Sequence, residues 1–308
     1  MGAQLRVRGR QTPATLPAAS PTVDDVQWSA GPFTSTHISF TGTPGMQVPV
    51  PTTLLQFFQL FFTRELLQYL VVETNSYATF VGTPASTWAM VNEQELAKFQ
   101  GLFFLMGIHV LPTYRHYWKT DDVHEYRVYR ENMTGKRFRS ILAHFHAFNS
   151  RAVPAINTDR LITVRTIMSY FVKQFQRVYL PKEHISIDEG GMGWKGHLTI
   201  RLYNPMKPKM YAIKLYMLAE SKSGYMWNFQ VYSGKTQTTS VTVESLLKQL
   251  KGFGYKLYMD NYYNSVSLCQ TLFDHQVLVC GPLRLARGAP KDLQELGKKK
   301  QNLADDEV

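Results

Sequence analysis

The hydrophobic pattern splits the chain into a helical first half and a mixed second half. Leu54, Phe57, Phe58, Phe61, Leu66, Leu67 and Leu70 make a wide apolar stripe that predicts one helix over 53–72. Asn92 followed by Glu95 is a capping-box start for a second helix reaching Met106 or beyond. Residues 114–118 and 132–146 continue the helical pattern. After 151–157, which reads as a linker, Ile162, Ile167, Tyr170, Phe171 and Phe175 predict a helix over 159–179. The period then changes. His184 to Asp188, Met210 to Ala219 and Tyr225 to Tyr232 are strand-length runs, the last two joined by the turn Glu220-Ser221-Lys222-Ser223-Gly224. Apolar positions 241, 243, 246, 247 and 250 return to helical spacing. A strand over 255–259, a helix over 265–275 and a short strand over 277–280 follow.

That order has a geometric consequence. A hairpin reverses the chain and a helix carries it back, so the Tyr255 strand can lie parallel to the Ile185 strand. Each strand stops on an acid, Asp188 in one and Asp260 in the other. Neighbouring carboxylates repel unless they share a proton or a divalent cation. Mg²⁺ suits one or two carboxylates completed by water and phosphate oxygens. The pattern therefore points to a metal site for phosphodiester chemistry. The plainer reading is that strands end in solvent, where Asp favours turns.

Between the first acid and the hairpin lies Gly190-Gly191-Met192-Gly193-Trp194-Lys195-Gly196, which has neither the spacing nor the Lys-Ser/Thr pair of a Walker loop. Basic residues recur at Lys195, Arg201, Lys207, Lys209 and Lys214, interleaved with Trp194, Tyr203 and Tyr211. This mixture suits a ribbon lying along a phosphate backbone with aromatic contacts. An ordinary exposed ribbon with charged edges would look similar. Arg137, Arg139, His144 and His146 form a second basic set, read as a solvated helix face.

Charge strengthens the nucleic-acid reading. The net charge is +11 over 308 residues, a balance that favours a polyanionic partner, DNA. Cys269 and Cys280 are the only cysteines, too few for a disulfide framework and without a CxxC, so no zinc site is expected. A reducing compartment, nucleus or cytosol, fits that usage. No apolar run approaches membrane-spanning length, so no membrane partner is expected. The arginines at 6, 8 and 10 precede a Thr/Pro/Ala/Ser-rich stretch rather than the apolar core of a signal peptide.

At the acid-ended strands the sequence resembles the piggyBac transposase family. The resemblance rests on Ser186-Ile187-Asp188-Glu189, Trp194-Lys195-Gly196-His197 and Tyr203-Asn204-Pro205-Met206-Lys207-Pro208-Lys209. It continues through Ser223-Gly224-Tyr225, Val231-Tyr232-Ser233-Gly234-Lys235 and Met259-Asp260-Asn261-Tyr262-Tyr263-Asn264-Ser265, and covers roughly residues 30 to 290. It implies a ribonuclease-H-like core, similar to that of retroviral integrases, that cuts and rejoins DNA with Mg²⁺ or Mn²⁺ held by three aspartates. Asp188 and Asp260 match the first two. The third, and a cysteine-rich zinc-binding segment, are expected beyond the point where this sequence stops. His197 stands where the family usually has arginine, and Glu220 where it usually has aspartate.

The expected fold is thus α/β of the α+β kind, a helical region followed by an incomplete ribonuclease-H-like mixed sheet. The expected divisions are a loose tail over 1–45, a helical dimerisation and DNA-binding region over 46–150, a truncated catalytic core over 151–290 and a polar tail over 291–308. Two functions fit. One is a domesticated nuclear DNA-binding protein, expected as a homodimer, that no longer cuts. The other is an active transposase or nuclease using Asp188 and Asp260 with divalent metal.

Overall fold

The structure, a computed structural model, describes residues 37–120, 126–149, 151, 157, 159–205, 210–234 and 237–295. The chain forms two compact units, both discontinuous in sequence. One takes 43–182 with 188–237, and the other takes 1–42, 183–187 and 238–308.

In the first unit the helices are α1 (Leu54–Gln59), α2 (Arg64–Phe80), α3 (Glu93–Ile108), α4 (Arg127–Asn132), α5 (Gly135–His144) and α6 (Ile162–Val178). The single helix expected over 53–72 is two. Thr63 starts the second by accepting the Leu66 N–H on its hydroxyl, with Glu65 in the first turn where the helix dipole favours an acid. The N-caps Thr53, Asn92 and Thr134 do the same for α1, α3 and α5. Leu66, Leu70, Leu96, Phe99, Phe138 and Ile141 close one apolar core between them. Most of the second basic set is packed rather than solvated. Arg137 makes a two-pronged bond to Glu95, both contacts at 2.6 Å, and lies over the Trp88 ring. His144 bonds Thr83 at 2.8 Å and His146 stacks on Tyr77. Only Arg139 keeps an exposed position.

The same unit holds a small ladder, β1 (Gly45–Met46) antiparallel to β2 (Tyr179–Leu180). It also holds β4 (Arg201–Tyr203), β5 (Tyr211–Glu220) and β6 (Met226–Val231), with β5 antiparallel to both others. Helix α6 packs on β6, and Leu161, Ile200 and Ile213 are buried with Met168 and Val231 against them.

Strand β3 (His184–Gly193) serves both units. Its latter part neighbours β5. Its first four residues pair in parallel with β7 (Lys256–Met259), which pairs in parallel with β8 (Leu278–Cys280). The strands together make a mixed sheet. Helices α7 (Thr239–Leu247) and α8 (Val266–Asp274) carry the crossovers, capped by Thr238 and Ser265. Buried Ile185, Ile187, Leu246, Leu257, Leu268 and Leu272 form this unit's interior. Part of the segment read as a tail is held here. Phe40 packs edge-on against Tyr255, and the Thr41 N–H donates to the Phe253 carbonyl at 2.9 Å. Residues 1–36, most of the linker at 151–157 and the chain from 296 lie outside the described residues. Among the described residues no helix is long and apolar enough to cross a membrane.

Candidate metal and nucleic-acid site

The parallel ladder sets His184 against Lys256 and ends with Ile187 against Met259. Asp260 directly follows β7, whereas Asp188 lies inside β3, which runs on to Gly193 instead of stopping at the acid as the sequence suggests. The strand–hairpin–helix–strand order thus delivers the neighbouring parallel pair that the sequence predicts.

The two acids have different local settings. Asp188 accepts the Glu189 N–H on Oδ1 at 2.7 Å. Asp260 accepts the Tyr262 N–H on Oδ1 at 2.9 Å, while its main-chain carbonyl receives the N–H groups of Tyr263 and Asn264. Asp260 therefore ends its strand in a side-chain-capped turn. Buried Asn264 then donates its amide to the carbonyls of Gly281 and Pro282, at 3.2 and 3.1 Å, and accepts from the Cys269 thiol. Arg287 donates to the Tyr262 carbonyl and Arg284 to the Asn261 side chain. Gly281 runs so close to β7 that a Cβ there would stand 1.9 Å from the Met259 carbonyl oxygen. Arg284, Arg287 and Gly281 carry no sequence signal for this role, because they reach the turn from more than twenty residues away.

The basic ribbon is arranged by its own contacts. Lys214 donates to Glu189 at 2.6 Å and lies over the Tyr216 ring. Arg201 donates to the carbonyls of Lys195 and Gly196, fastening the glycine-rich loop, and its guanidinium sits 4.4 Å from the Tyr211 ring centre. Lys195 is exposed. Lys207 and Lys209 lie outside the described residues. Glu220 is buried at the far end of β5 and accepts from the Tyr179 hydroxyl and the Lys182 N–H. Burial alone raises its pKa, but those hydrogen bonds to the charged form outweigh it and hold the carboxyl below its ordinary value. Burial pushes the Tyr179 phenol up to about 12, with Glu220 adding to the effect, so the phenol stays a donor.

Among the described residues, Oδ2 of Asp188 and Oδ2 of Asp260 accept no hydrogen bond, which leaves each carboxylate an oxygen to offer. Among the same residues no group of three or more His, Cys, Asp or Glu side chains is placed to hold a metal.

Residues 54–307 match the transposase IS4 family, and the chain belongs to it. It is homologous to piggyBac proteins of the DDE transposase superfamily over most of its length. Human PiggyBac transposable element-derived protein 2 is 25% identical over 264 residues, 82% of this chain and 44% of that protein. Human PiggyBac transposable element-derived protein 5 is 22% identical over 265 residues, 79% of this chain and 49% of that protein. The cryo-EM structure of a piggyBac transposase synaptic complex with hairpin DNA superposes with a TM-score of 0.70 at 26% identity, covering 82% of this chain and 56% of that one. The chain spans about half the length of the curated relatives it matches.

Proposed function

We propose that this chain is a DNA-binding protein of piggyBac transposase ancestry, with a ribonuclease-H-like core that keeps Asp188 and Asp260 as a divalent-metal pair and does not excise DNA. The observation that carries it is the parallel β3–β7 register, which ends with Ile187 against Met259, the residues just before Asp188 and Asp260. A Mg²⁺ or Mn²⁺ held there would polarise a phosphate oxygen or activate water. The chain's own part is to present two carboxylate oxygens from a fixed turn and an adjoining ribbon.

The non-cutting half of the proposal rests on the other candidate acids. A two-metal phosphodiester site needs ligands for a second ion, and two carboxylates supply too few. Glu189 is neutralised by Lys214, and Glu220 is committed to Tyr179 and Lys182. Loss of one metal's stabilisation of the leaving oxygen lowers the rate about tenfold for each 1.36 kcal/mol. The nucleus is the proposed compartment and a homodimer the proposed assembly.

The test is salt-dependent gel shift on duplex DNA together with plasmid excision in Mg²⁺ or Mn²⁺. Duplex binding should weaken with salt, each neutralised phosphate steepening the log–log slope by about 0.9. Replacing Lys195, Arg201 and Lys207 with alanine should flatten that slope, and an unchanged slope would put the DNA surface elsewhere. Excision should be absent. Robust excision that vanishes in Asp188→Ala would establish the active transposase instead.

A further inference from the structure

The ribbon carries a cleft that the acid pair does not use. About 580 Å³ opens among Gly190, Gly191, Tyr203, Met210, Ala212 and the Glu189–Lys214 pair. Small residues keep it open, since even a Cβ added at Gly191 would meet only the Ala212 Cβ, at 3.5 Å. Its rim is aromatic and accessible. Tyr203 is 58% exposed, and its ring stands 4.9 Å from that of Tyr211, with the Arg201 guanidinium beyond.

Charge selects what can enter. Glu189 holds the Lys214 ammonium at 2.6 Å, so the pair is neutral as a whole. An incoming phosphate would meet the Glu189 carboxylate and displace that pairing. A neutral planar group with donors and acceptors along one edge meets no such cost. The carboxylate accepts from it, the ammonium donates to it, and Tyr203 covers its face. Nucleobases have that chemistry, and aromatic side chains stack on any of them.

We propose that this cleft takes one unpaired nucleobase from a single-stranded stretch of bound DNA, the sugar-phosphate remaining outside beside exposed Lys195. The proposal rests on the DNA-binding reading above and narrows it to a strand state. A paired base has its edge and faces covered in the duplex, so entry requires a gap, an end or an extruded nucleotide.

The test compares the 308-residue chain on a duplex and on the same duplex carrying a four-nucleotide gap with 2-aminopurine at its centre. The gapped DNA should bind about tenfold tighter, the size expected for one stacked base, and the 2-aminopurine fluorescence should change on binding. Tyr203→Ala should remove both the preference and the fluorescence change. Ala212→Leu, which fills the cleft and keeps every charge, should do the same. Equal affinity for the two DNAs, or a preference that survives both variants, would overturn the cleft assignment while duplex binding stands. Binding to neither DNA would overturn the DNA-binding reading and this inference with it.

Discussion

Asp188, midway along β3, and Asp260, directly after β7, are the same residue type but are held in opposite ways. Beyond Asp260 the chain turns at once and is pinned by Asn264, Arg284, Arg287 and the close passage of Gly281. Beyond Asp188 the strand runs on through two glycines into an exposed aromatic and basic ribbon, held chiefly by Arg201 and the Glu189–Lys214 pair. The contrast also explains why only one side has a motif dense in asparagine. Asparagine supplies a donor and an acceptor to turn carbonyls and thiols without adding charge.

Four substitutions measure that contrast. Gly281→Ala should destabilise by about 3 kcal/mol in urea unfolding, because the added Cβ would collide with the Met259 carbonyl, a backbone atom that cannot swing aside. A loss below about 1 kcal/mol would show that the turn yields. Asn264→Ala should cost about 2 kcal/mol, since two carbonyls lose their donor at a buried position. Glu220→Gln tests the anchor at the far end of β5 and should cost about 1.5 kcal/mol at neutral pH. The sign with pH is fixed. The folded carboxyl titrates below its ordinary 4.5, so its contribution is complete above that value and fades as pH falls through the folded one. The wild type should therefore approach the variant's stability on acidification, and a gap that stays constant down to about pH 2 would sink this account. Gly191→Ala should change stability by less than about 0.5 kcal/mol, because its Cβ would meet only an ordinary contact at 3.5 Å.

What was legible in the sequence was whatever depends on neighbours along the chain. Alternating and helical spacing predicted β3, β5, β6, β7 and α7, and connectivity then required β3 and β7 to be parallel. The side-chain cap at Asn92 marked a helix start for the same reason. The break at Thr63 was masked because Phe61, Leu66 and Leu67 sustain the apolar stripe across it. Distant partnerships left no local trace. Lys214 was grouped with the phosphate-facing bases, yet its nearest charge is Glu189, 25 residues earlier. Arg137 was read as solvated, though Glu95 lies 42 residues before it. Gly45 fell in the presumed tail, but it pairs with Leu180.

The sharing of β3 by both compact units sets an order on synthesis. A ribosome completes the unit of 43–182 and 188–237 before any of β7 has been made. During that interval Ile185 and Ile187, which end fully covered, have no parallel partner on their far edge. The nascent chain thus displays an unpaired apolar strand edge until Leu257 emerges, and such edges invite foreign strands. Slow translation through 238–256 would lengthen that window, so the yield of soluble protein should fall with pauses placed there and not with pauses placed after β8.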